Sequence, residues 1–163
     1  MARRVFYSFH FKPDSQRAAK VRNIGVLEGD APVSDNDWET VTRGGDVSIE
    51  RWIAAQLKGK SCAVVLAGTD TAGRRWITHE IVEAWNKRMG VVVIHIHRLT
   101  NLAGEQATKG GNPLRHVTHN GEKLSTICKA YDPLGSTSKD VYDWIRRHLA
   151  AAVDEAIEIR ARY

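Results

Sequence analysis

Two continuous apolar runs, "SCAVVLAG" at 61–68 and "GVVVIHIH" at 90–97, stand out from a chain that otherwise mixes apolar and polar positions. Runs this short and this uniform predict strands buried on both faces. "RRVFYSF", residues 3–9, is rich in β-formers and predicts a first strand. "NIGVL", 23–27, predicts a second, shorter one. Helical spacing fills the gaps. Pro13 suits a helix start, with a short helix through about Lys20. "DVSIERWIAAQLKGK" repeats apolar residues every four positions at Ile49, Ile53 and Leu57, with Trp52 beside that stripe. Asp46 is placed to cap this helix and Gly59 to end it. "GRRWITHEIVEAW", 73–85, predicts a further helix. Strands alternating with helices imply a parallel sheet with helices on both faces.

The tail departs from this alternation. A Gly/Asn-rich loop, "RLTNLAGEQATKGGNPL", precedes "RHVTHNGEKLSTICKAYDP", whose Asn120-Gly121 pair between strand-like arms signals a hairpin. A last helix carries Val141, Trp144, Ile145, Leu149 and Val153 on one side. The prediction is an α/β doubly wound, mostly parallel sheet with a C-terminal hairpin and helix, as one domain over 1–163. Residues 28–45, "EGDAPVSDNDWETVTRGG", form a long connection without periodicity. Such segments are functional or disordered. Trp38 in its middle argues for function, because a large aromatic needs a surface to cover.

Composition narrows the classes. No apolar run approaches the roughly 20 residues that span a bilayer, which predicts no membrane association. "MARRVFYSFHF" lacks the apolar region and cleavage site of a signal peptide, so a cytoplasmic location is expected. Cys62 and Cys128 then read as buried reduced thiols. The net charge of +5 suits an anionic ligand such as a nucleotide. No basic stripe interleaved with aromatics, helix-turn-helix or zinc finger supports nucleic-acid binding.

Trp76 and Glu80 lie one turn apart on one helix face. Either the helix is a surface element with a buried tryptophan, or the pair lines a pocket in which the ring stacks on a ligand and the carboxylate meets positive charge. Helical spacing alone favours the surface reading. Ligands of open parallel sheets sit beyond the carboxyl ends of the strands. Those ends carry "SFHF", the 28–45 loop, "AGTDTAG" and "HIHRLTN", and the Trp76–Glu80 helix starts just after one of them. The remaining candidates read as structural. His95 and His97 share a strand face, but no Cys/His/Asp cluster completes a metal site, and satisfied histidines are expected. Ser8 and Ser61 lack a readable base or nucleophile elbow. "GGNP" reads as a turn, Arg74 and Arg75 as solvated charges, and Trp52 and Trp85 as core.

Taken together, "RRVFYSFHF", "KVRN", "LKGKSCAVVLAGTDTAGRRWITHEI", "GVVVIHIH" and "KGGNPL" resemble the TIR-like domain family of the Thoeris anti-phage protein ThsB. The resemblance runs from the first strand to about Pro113. Residues 114–163 match less well, so the hairpin and last helix rest on pattern alone. The resemblance implies a flavodoxin-like TIR fold and cleavage of NAD at the nicotinamide–ribose bond. NAD is then substrate, with no cofactor. By the same resemblance Glu80 is the catalytic carboxylate and Trp76 the aromatic one turn before it. Phe9, His10 and Phe11 line the pocket, and Trp38 lies in a loop of pocket gating or self-association. The implied product is a cyclic ADP-ribose-type nucleotide that activates a separate effector after a phage-derived trigger. Two other readings stay open: a non-catalytic TIR-like adaptor using Trp38 and the 28–45 loop, and a deoxyribosyltransferase, which also sets a glutamate near a ribosyl carbon. A phosphoreceiver would need an acidic pair after the first strand, and "YSFHF" has none.

Overall fold

The computed structural model describes residues 3–29 and 40–163. Trp38 and most of the 28–45 connection lie outside the described residues. The chain runs β1 (Arg4–Phe9), α1 (Phe11–Asn23), β2 (Glu28–Gly29), α2 (Gly45–Leu57), β3 (Cys62–Ala67), α3 (Arg75–Asn86) and β4 (Gly90–His95). After a 3-10 turn at Pro113–His116 come β5 (Thr118–His119), β6 (Glu122–Lys123), α4 (Leu124–Ile127), β7 (Ala130–Tyr131) and α5 (Ser138–Ala161).

The main sheet has the order β2-β1-β3-β4-β7, and every pairing in it is parallel. β3 and β4 are buried at all positions, as their unbroken apolar runs require. Alternate residues feed two cores. Ala63, Val65, Val91 and Val93 face α2, α3 and α4, whereas Val64, Leu66, Val92 and Ile94 face α1 and α5. The sheet is therefore covered on both sides, as in flavodoxin-like folds.

Several boundaries differ from the sequence reading. α1 starts at Phe11 rather than Pro13 and runs on to Asn23. Proline is tolerated in the first turn, where its missing N–H has no partner to lose. The "NIGVL" stretch is not a strand; Gly25 turns the chain at φ 78°, and pairing with β1 begins only at Glu28. Gly44, not Asp46, occupies the cap of α2, and the Asp46 carboxylate instead pairs with Arg75 at 2.6 Å. The hairpin is present but short. Asn120 and Gly121 both take positive φ, as its two-residue turn demands. Its second arm gives way at once to α4, where Leu124 and Ile127 are buried at helical spacing. Cys128 therefore follows a helix rather than sitting in a strand, and β7 joins the main sheet.

The C-terminal segment grips the rear of α3. Trp85 Nε1 donates to His119 Nδ1 at 3.1 Å. The Arg160 guanidinium lies 4.3 Å from the Trp85 ring centre, and its Nε donates to the Trp85 carbonyl at 3.0 Å. α5 itself begins with a Thr137/Asp140 capping box. Among the described residues, no helix is long and apolar enough to cross a membrane.

Candidate active site

A cavity of about 690 Å³ opens at the carboxyl end of β1. This volume is in the usual range for small-molecule sites. Phe9, His10 and Phe11 form one wall; Trp76, Ile77 and Glu80 of α3 form another; Trp52 and Gln56 of α2 close a third side. The sequence-predicted residues on α3 and after β1 thus converge.

The loop between β3 and α3 sets the approach of α3 to this cavity. It is braced from three directions. Thr71, fully buried, accepts the Gly68 N–H at 2.8 Å through its hydroxyl oxygen. The Thr69 hydroxyl donates to the Thr108 carbonyl at 2.7 Å. Gly110 lies so close that a Cβ there would come within 2.3 Å of the Gly68 carbonyl oxygen and 2.4 Å of that of Thr69. On the α1 side, a Cβ on Gly68 would overlap the Asp14 carboxylate. Asp14 and Arg17 are a buried pair at 3.3 Å. Arg17 also donates to the Leu99 carbonyl at 2.7 Å and the Glu105 carbonyl at 2.8 Å, which ties α1 to the loop after β4.

Glu80 is the central feature. It is only 6% exposed, against the expectation of a partly exposed position. The Ser8 hydroxyl, itself 1% exposed, donates to Glu80 Oε2. Burial pushes the Glu80 carboxyl up to about 8, and the Ser8 hydrogen bond opposes that rise. Desolvation wins because a single neutral donor replaces far less solvation than water supplied.

Trp76 is partly buried, with the Arg75 guanidinium 4.5 Å from its ring centre and His79 edge-on at 5.4 Å. Arg75 is held between this ring and Asp46. Phe9 and Phe11 stack at 6.2 Å. His10 lies between them in sequence, and its Nδ1 is buried with no hydrogen-bond partner among the described residues. Burial and then Arg74 lower its pKa, which favours the neutral ring. Tyr7, also on the wall, is pushed up to about 12 by burial and stays a phenol.

Sequence reasoning missed several contributors, Tyr7, Trp52, Gln56 and Ser8 among them. Trp52 packs against the core as expected, but it is only partly buried and also lines the cavity; its place beside the Ile49/Ile53/Leu57 stripe was the available signal. Ser8 gave no signal, because its partner is 72 residues away. His95 and His97 lie at the end of β4, outside the cavity. Both are buried, but their Nδ1 atoms have no partner among the described residues, contrary to the expectation of satisfied histidines. Among the described residues no group of three or more His, Cys, Asp or Glu is placed to hold a metal.

The family pattern described as "Thoeris protein ThsB, TIR-like domain" matches residues 6–101, more than half of the chain. The chain belongs to the ThsB TIR-like family. A Bacillus cereus (strain MSX-D12) protein named "Putative cyclic ADP-D-ribose synthase ThsB1" is 34% identical over 122 residues. That match spans 72% of this chain and 64% of the relative, just short of two thirds of its length. The ThsB-matched region contains β1 from Phe6 onward, the elements through β4 and every cavity-lining residue named above.

Proposed function

We propose that this chain is an NAD-consuming enzyme of anti-phage defence, with Glu80 as its catalytic carboxylate. It cleaves the nicotinamide–ribose bond. The product is a cyclic ADP-ribose-type nucleotide that activates a separate effector protein. A phage-derived trigger switches the reaction on. The observation that carries this reading is a carboxyl group buried in the wall of an aromatic cavity at the carboxyl edge of a parallel sheet. The naming of the Bacillus cereus relative supports the product class.

The chemistry suits these residue types. When the C1′–nitrogen bond breaks, its electron pair leaves with nicotinamide, and the ribosyl carbon becomes an oxocarbenium ion. A nearby carboxylate stabilises that cation and accepts a proton from the attacking group. Trp76, Phe9 and Phe11 supply flat surfaces for the nicotinamide or adenine rings. His10, held neutral by its surroundings, lies on the same wall. Attack by an adenine nitrogen of the same molecule closes a ring; attack by water gives linear ADP-ribose.

The test is nicotinamide release from NAD, with and without lysate from phage-infected cells, for the unmodified protein and Glu80→Gln. Release that is equal in both proteins overturns the assignment. Self-association through the 28–45 loop is part of the proposal. If Trp38→Ala leaves both the oligomeric state and the cleavage rate unchanged, that part is wrong.

A further inference from the structure

Among the described residues Glu80 meets one polar partner, the Ser8 hydroxyl, and no cation. The charged or titratable groups around the cavity are elsewhere on its walls. Tyr7 comes from β1, and His10, Lys12 and Arg22 from α1 and the residue before it. Asp70 and Arg74 come from the β3–α3 loop and Arg75 from the head of α3. α2 contributes Trp52 and Gln56, neither of which titrates. None of these makes an ion pair or hydrogen bond with Glu80. A carboxyl group this dry, with one neutral donor, holds its proton.

We propose that Glu80 is a neutral carboxylic acid in the free protein and is ionised by a ligand that carries a fixed positive charge, so that the cavity selects the cationic pyridinium ring of oxidised NAD over the neutral ring of the reduced form. This rests on the NAD reading above and adds to it a means of telling the two redox forms apart at the binding step. Ser8 is the positioning residue: its hydroxyl donates to the anion once it forms.

The protons balance. On binding, Glu80–COOH loses H⁺ to solvent, and the carboxylate faces the pyridinium. When the C1′–nitrogen bond breaks, nicotinamide leaves neutral and the positive charge passes to the ribosyl carbon, still opposite the carboxylate. The attacking group forms its bond to C1′ and gives its proton to Glu80, which returns to the neutral acid. The proton that the overall cleavage produces is thus released at binding. With the carboxyl at about 8, roughly nine in ten free molecules hold the proton near pH 7. A unit charge in contact shifts such an equilibrium by roughly a thousandfold at the effective dielectric of a protein, so the cation is sufficient to expel the proton.

The probe is a carbocyclic NAD analogue, in which a methylene replaces the ring oxygen of the nicotinamide ribose. It keeps the cationic ring and does not cleave. Titration calorimetry near pH 7, in two buffers of different protonation enthalpy, counts protons released. We expect close to one proton per analogue bound to the unmodified protein, and none for NADH. Glu80→Gln should release none with either. Affinity for the analogue should rise close to tenfold from about pH 6 to about pH 7, and affinity for NADH should not. Ser8→Ala should move that rise to higher pH while keeping the same plateau, whereas structural damage would lower the plateau. Analogue binding without proton release, or with affinity flat across this range, overturns the proposal even where NAD is cleaved. If the analogue binds at no pH and NAD is not cleaved, the NAD reading falls and takes this proposal with it.

Discussion

The Ser8 hydroxyl on β1 donates to the Glu80 carboxyl on α3, and together they join the first strand of the sheet to the helix that frames the cavity. Neither residue is exposed enough for water to take over the other's role. The stability of the fold and the chemistry of the cavity therefore meet at a single carboxyl group.

That coupling gives a pH signature. The folded-state value of Glu80 lies above its unfolded value, from 4.5 to about 8. Stability from this group is fully present below pH 4.5 and is lost as pH rises through about 8. The loss should run at about 1.4 kcal/mol per pH unit inside that window. Glu80→Gln keeps the volume and removes the titration. Denaturant unfolding at several pH values should show the variant gaining on the unmodified protein as pH rises. Activity should move the other way, falling on the order of a hundredfold, in line with the loss of about 3 kcal/mol of electrostatic contact.

Arg17 should be the costliest helix-to-loop tie to cut. Arg17→Met leaves the Asp14 carboxylate buried without its partner and the Leu99 carbonyl without its donor, while the Glu105 carbonyl keeps only the Asn101 N–H. A loss of about 3–5 kcal/mol is expected in urea near neutral pH. Burial already raises the Asp14 pKa. The deficit should therefore shrink in acid, where Asp14 takes up a proton.

Neighbouring glycines should behave differently. Gly110→Ala drives a methyl group into two backbone carbonyls, which have no rotamer to escape into. It should cost about 1–3 kcal/mol. Gly111→Ala would meet only the Ala72 methyl, at 3.6 Å, and should stay within about 0.5 kcal/mol of the parent. Thermal or denaturant unfolding of the two variants side by side checks this.

Trp76 separates shape from charge. Trp76→Phe keeps a flat face on the cavity, and Trp76→Ala removes it along with the seat of Arg75. The alanine variant should raise KM for NAD more than tenfold, and the phenylalanine variant by only a few-fold. Steady-state kinetics of NAD cleavage, the proposed activity, would measure both. Equal KM values for the two would exclude ring stacking.

What the sequence disclosed follows physical range. β3 and β4 were readable because a strand buried on both faces must be apolar throughout, and nothing else in the chain is. Glu80 and Trp76 were readable because one helical turn is a local relation. Ser8 and Arg17 were not, because the Glu80 carboxyl and the Leu99 and Glu105 carbonyls that they bind are reached only after folding. α4 was missed because four residues between a turn and a strand hold too little periodicity to distinguish a helical turn from a strand arm.

The grip on Trp85 has a consequence for what counts as a working part. Trp85 sits five residues beyond Glu80 on the same helix, and the two residues that anchor it, His119 through one hydrogen bond and Arg160 through its guanidinium on the ring and its bond to the Trp85 carbonyl, both come from chain beyond the family match. The lever that carries Glu80 is pinned at its far end by the least recognisable part of the molecule. Where ancestry stops being legible, the mechanical unit has not yet ended.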